Sequence, residues 1–242
     1  MAERRPARVS LRERMRGGQG VVRFSTAYLL GAILLFIGAA PFVDRYAAAT
    51  VLDEVVATLV LACAVIAVGA RRRTLILSIV IAFPALAGQW LHQAWPDAFP
   101  WEIVLSASLL FTAFIIVCLF RFIFSAPRVD AEVLCAAVAG YLLIGILWSY
   151  VFALEERCLP GSFAFNAGPD ASRAMQGFTP LYFSFVTLTT VGYGNIAPTN
   201  DVARLLAILE AIVGVFYLAI LISRLVSLQT SARTVDRSDD PR

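Results

Sequence analysis

The sequence predicts an all-α membrane protein with six spanning helices. One further short helix and an extended loop are expected to dip into the membrane and leave on the same side. Three observations lead there. Of the 242 residues, 60% are hydrophobic and only 15% charged, where a soluble domain carries about a quarter. The charges avoid six apolar runs, most of them near the roughly twenty residues that a helix needs to cross the hydrocarbon core. The arginines gather in alternate connections between those runs, as the retention of positive charge on the cytoplasmic side requires.

Residues 1–23 form an arm rich in arginine: Arg4, Arg5, Arg8, Arg12, Arg14, Arg16 and Arg23. The run at 24–43 is long enough to span, which favours a true helix over a cleaved leader. The second run, 55–70, is shorter. Its helix is expected to begin near Ala47 and to carry Asp53 and Glu54 in its outer part, where they pair with Arg45 or face water. Arg71, Arg72 and Arg73 then anchor the cytoplasmic side. The third run, 74–96, ends with Trp90, His92 and Trp95, an expected interfacial belt. The fourth, 103–120, lies between Glu102 and Arg121. A short connection ending in Arg128 leads to the fifth, 133–154, and the sixth, 205–223, is broken only by Glu210. Residues 24–128 thus read as a four-helix unit and 129–228 as a second unit. The polar tail, 229–242, is expected to be disordered, and both termini cytoplasmic.

All twenty basic residues are arginine, a codon bias of high-GC bacterial genomes that points to a bacterial inner membrane. Orientation alone explains the basic residues, so nucleic acid is not an expected partner; the lipid bilayer is. Cys63, Cys118 and Cys135 fall inside helices, where they act as small apolar side chains. Cys158, in an outer loop, is either a free thiol or a partner across subunits. No spacing forms a catalytic or metal-ligating constellation, so neither an enzyme nor a cofactor is expected.

The uncharged stretch 174–200 differs from the spans. Gly177, Pro180, Gly192, Gly194 and Pro198 crowd it, too many breakers for one spanning helix. The loop before it, 155–176, reads as an irregular turret. Thr179 is placed to cap a helix and Pro180 to open it. A short helix over 180–189 would enter from outside and aim its C-terminal end at the membrane centre. The dipole there favours a cation. "TVGYG" follows at 190–194. A dehydrated cation needs oxygens, and backbone carbonyls supply them without a fixed charge that would trap it. Successive carbonyls reach one axis only if the chain adopts conformations that glycine visits at little cost, hence Gly192 and Gly194 alternating with Val191 and Tyr193.

The run "TLTTVGYGNIAP", between two spanning helices on the outer side, resembles the selectivity filter of tetrameric potassium channels. The resemblance implies a homotetramer around one pore and potassium as the permeant ion. Oxygens of Thr190, Val191, Gly192 and Tyr193 would hold the ion, and Gly194 would end the filter. The fifth helix would be the outer helix and the sixth the inner, pore-lining one. Thr189, Asn195 and Glu210 would support the filter. Asn195 departs from the aspartate common in relatives, which puts outer-mouth stability and inactivation in doubt. Glu210, an intramembrane carboxyl, needs a partner, expected on the pore helix near Ser184 or Thr189. Gly214 matches the glycine at which such inner helices bend, the alternative being close packing at a small residue.

The first four helices hold the position of a voltage sensor, but the fourth carries only Arg121. One charge crossing the field gains about 2.3 kcal/mol per 100 mV, and steep gating needs three or four per subunit. The expected function is therefore a potassium-selective channel without steep voltage gating. The alternatives are a potassium transporter subunit and a ligand-sensing membrane protein with a vestigial pore.

Overall fold

The computed structural model describes residues 25–43, 49–68, 72–95, 100–126, 129–165 and 175–238. The arginine-rich arm, Arg45, Arg71, Arg128, Arg173 and the last residues of the tail lie outside them, as do the side chains of Asp53 and Glu54. Apolar chain in lipid must satisfy its own backbone groups, and each apolar run accordingly forms helix. In chain order these are α1 Ser25–Val43, α2 Ala49–Val68, α3 Arg72–Ala94, α4 Trp101–Ser125, α5 Ala131–Cys158, the short α6 Thr179–Leu188 and α7 Asp201–Ser238. Two three-residue strands, β1 Phe163–Phe165 and β2 Ile196–Pro198, complete the described structure. Among the described residues, four stretches are long and apolar enough to cross a membrane: Thr74–His92, Trp101–Ser125, Ala131–Cys158 and Asp201–Arg224. Thr26–Phe42 and Ala57–Ala67 are apolar helix below that length. The chain is a multi-pass membrane protein.

Helices α1 to α4 pack on their sequence neighbours, and α4 and α1 both lie against α5. The connection between α4 and α5 is too short to carry α5 elsewhere, so the two are neighbours in one chain. Asp130 starts α5 cleanly, its carboxylate accepting from the Val133 N–H at 3.0 Å. Helix α4 is pinned at both ends. At its start, Glu102 pairs with Arg157 of α5 at 3.2 Å. At its close, Arg224 of α7 donates to the Phe124 carbonyl at 2.6 Å and to the Ala126 carbonyl at 3.5 Å. The guanidinium also lies 5.3 Å from the Phe124 ring centre. Terminal helix carbonyls have no intrahelical donor, and a cation suits that end. His92 lies against Trp101, with ring centres 4.8 Å apart and the planes tilted by 47°.

Helix α6 wedges between α5 and α7. Two glycines set that approach. A Cβ on Gly145 would lie 2.7 Å from the tip of the Phe185 ring, and one on Gly214 would run into the Leu188 carbonyl. Helix α7 passes through Gly214 as one continuous helix.

Three expectations change. Thr179 does not cap α6: Phe178 occupies that position without a side-chain bond, Thr179 is already helical, and Pro180 sits in the first turn. The turret is not wholly irregular, since β1 pairs antiparallel with β2, Phe163 opposite Pro198 and Phe165 opposite Ile196. Helix α7 continues to Ser238, past the residue where a disordered tail was expected to begin, because nothing in that stretch before Ser238 breaks a helix.

Gly145→Ala is expected to cost about 1–3 kcal/mol by overpacking, read as a lower unfolding temperature in detergent, with Phe185→Leu restoring part of it. Gly214→Ala should cost a similar amount without rescue by Leu188→Ala, because the atom it meets is backbone. Gly31→Ala, which has nothing within 4 Å, is the neutral control. Arg224→Ala should lower stability by about 1.5 kcal/mol, the low end for bonds to a charged group; an unchanged melting curve would show that the tie carries nothing.

Candidate functional site

Helix α6 ends at Leu188, and the chain leaves it without becoming coil. The Thr189 N–H donates to the Phe185 carbonyl at 3.1 Å and Thr190 N–H to Thr187 at 2.9 Å. The N–H groups of Val191 and Gly192 both reach back to the Val186 carbonyl, at 3.0 and 3.3 Å. Four successive donors are thus spent on the helix behind them. The carbonyls of Thr190, Val191, Gly192 and Tyr193 accept no hydrogen bond from a described residue.

The backbone that does this alternates. Thr190, Gly192 and Gly194 have φ of 59°, 58° and 77°. Gly192 and Gly194 have open space where a Cβ would sit, so glycine serves there for conformation and not for room. Thr190 is the one non-glycine residue with positive φ among the described residues, an uncommon state for a β-branched side chain. Between them, the side chains of Val191 and Tyr193 are turned out and more than half exposed. The site therefore presents a row of carbonyl dipoles just past the C-terminal, partially negative end of a helix. Such a row offers a cation several oxygens and no fixed charge.

The supporting residues divide. Asn195 accepts from the Tyr182 hydroxyl at 3.2 Å, and the rings of Tyr182 and Tyr193 lie parallel with centres 6.4 Å apart. Glu210 is fully buried and contacts the equally buried Ser184 at 2.5 Å. Thr189 is not its partner: the Thr189 hydroxyl donates to its own helix, to Phe185 at 2.6 Å. Gly214 lies one turn beyond Glu210, against the last carbonyl of α6. Cys158 is exposed at the end of α5.

Residues that the sequence did not single out hold the far end of the loop. The amide of Asn200 donates to Ser162 at 2.6 Å and to Glu155 at 3.3 Å, while its oxygen caps α7 through the Ala203 N–H at 2.7 Å. Thr199 bonds the turret twice, through its N–H to Ser162 and its hydroxyl to Gly161. Beneath the β1–β2 ribbon, Phe152, Phe163 and Phe183 meet edge to face. Asn200 was legible as a helix cap just before an apolar run. Glu155 and Ser162 carried no such signal.

An ion-channel family model matches residues 132–230. The chain is similar to two pore potassium channel c of Oryza sativa subsp. japonica, 37% identical over 88 residues, which is 36% of this chain and 17% of that protein. Two pore potassium channel a of the same plant is 34% identical over 84 residues, 35% of this chain and 20% of that protein. Two-pore potassium channel 4 of Arabidopsis thaliana is 46% identical over 46 residues, 19% of this chain and 16% of that protein. The chain thus spans about a fifth or less of the length of these relatives. No solved structure matches it significantly. The stretch matched by the ion-channel family model takes in α5, the turret, α6, the carbonyl row and most of α7.

Proposed function

We propose that the chain forms a potassium-selective pore in which carbonyl oxygens of Thr190, Val191, Gly192 and Tyr193, with the Thr190 hydroxyl, replace the water around the ion. The observation that carries this is the row of carbonyls without donors on an alternating backbone. A lone strand offers the ion oxygens from one side only. Four copies around an axis would complete each ring, and the exposed apolar side chains of Val191, Tyr193, Ile212 and Phe216 would then find cover. The homotetramer is part of this proposal, as are Gly194 as the end of the filter and Thr189, Asn195 and Glu210 as its support. Gly214 is the place where a bending inner helix would also have to release the Leu188 carbonyl.

The division at residues 24–128 and 129–228 is likewise proposed, with six spans. Helix α1, of 19 residues, falls within the roughly 17–25 that crossing takes, and α2 is 20 residues of helix although its apolar part, Ala57–Ala67, is shorter. The arginine pattern supports cytoplasmic termini, and the arginine bias a bacterial inner membrane. The single Arg121 in α4 argues against steep voltage gating. Passive flux through one pore loop per subunit is favoured over a transporter or a vestigial pore.

Reconstitution in planar bilayers under a potassium/sodium gradient should give currents reversing near the potassium equilibrium potential, with open probability nearly flat in voltage. Reversal midway between the two ions would overturn selectivity. Tyr182→Phe keeps the ring and removes the donor to Asn195. Losing one such bond costs about 1 kcal/mol, so sustained current should decay about fivefold faster with initial selectivity intact. Crosslinking of purified protein should end at a four-subunit species; a two-subunit endpoint would overturn the assembly.

A further inference from the structure

The contact of Ser184 with Glu210 has a third member. The Ser184 oxygen on α6 lies 2.7 Å from the Gly145 carbonyl of α5 and 2.5 Å from Oε1 of Glu210 on α7. Each is a hydrogen-bond distance between two oxygens, and each requires a proton between them. The Gly145 carbonyl supplies none. The serine hydroxyl supplies one. The second proton has to come from the carboxyl. We infer that Glu210 is a neutral carboxylic acid that donates to Ser184, which in turn donates to the Gly145 carbonyl, so that a two-proton chain joins the inner helix, the pore helix and the outer helix.

The surroundings agree. Glu210 and Ser184 are both fully buried. Glu210 Oε2 has no hydrogen-bond partner among the described residues, tolerable for the carbonyl oxygen of an acid and costly for a carboxylate. Helix α6 has no charged residue, and its one phenol, Tyr182, is engaged with Asn195. From α5 the titratable side chain that interacts with Glu210 is Tyr141, whose hydroxyl donates to Leu188 at 3.5 Å and brings no positive charge. On α7 itself, Arg204 is exposed and paired with Asp201. An ionised Glu210 would draw the serine proton to itself, leaving the serine and Gly145 oxygens facing each other with no proton between. The proposed filter begins six residues after Ser184, so Glu210 acts as a positioning residue: its neutral form fixes α6, and ionisation would release α6 from α5.

This deepens the proposed pore reading, and its main test needs no current. Infrared difference spectra of full-length protein in lipid nanodiscs, wild type minus Glu210→Gln, should contain a protonated carboxyl C=O stretch at neutral pH. Ser184→Ala should move that band to higher frequency, as the acid loses its acceptor. A difference confined to carboxylate bands would overturn the proposal, and so would a band that Ser184→Ala leaves in place. If Glu210→Gln does not assemble, the Ser184→Ala shift alone decides. In bilayers, wild type should lose current as the pH is raised, while Glu210→Gln, which keeps a donor for Ser184, should not. Active channels without the infrared band would reject this inference and leave the pore reading standing; the band without current would do the reverse.

Discussion

The structure turns on a segment whose N–H groups are satisfied and whose carbonyls are not. Buried backbone groups are almost always paired, and in this chain the donors of Thr189 to Gly192 are paired only because α6 stops directly behind them. Everything that fixes α6 therefore fixes the carbonyl row. Glycines bring α5 and α7 to within contact of it, and Ser184 links it to both. At the far end, a strand, a threonine and an asparagine tie the chain to the turret. The segment is irregular, but neither of its ends is loose.

Much of this was legible in the sequence, and the reason differs by element. Spans announce themselves through apolar length, and α6 through a proline that opens a helix and a glycine-bearing stretch that follows it. That Glu210 meets α6 followed from one rule, that an acid inside a membrane needs a partner; the rule left Ser184 and Thr189 both open, and the fold supplies Ser184. The outer anchor was not legible. Strands of three residues have no periodicity to read, and "FAF" and "IAP" are separated by the whole of α6 and the carbonyl row. The left-handed state of Thr190 was hidden for a different reason. Its side chain argues against it, and only the helix carbonyls that capture the following amides impose it.

Charge placement misled in an instructive way. Arg224 falls where a topological anchor is wanted, and that role accounts for it without any contact. In the fold it also closes the end of α4. Arg157, on the opposite side, pairs with Glu102 at the start of the same helix. A helix poor in charge is thus held by charges belonging to its neighbours, one on α5 and one on α7. This ties α4 physically to both in a way that its own sequence does not reveal.

The alternation at Thr190, Gly192 and Gly194 has a further consequence, because both ends of the segment are fixed in register. A single inserted or deleted residue would shift the phase by one, as a slipped strand does. Left-handed positions would then fall on Val191 and Tyr193, which have no cheap way to adopt them. Loss or gain of two residues would preserve the phase. The length of this loop is therefore quantised in pairs, and a homologue of different loop length should differ by an even number of residues.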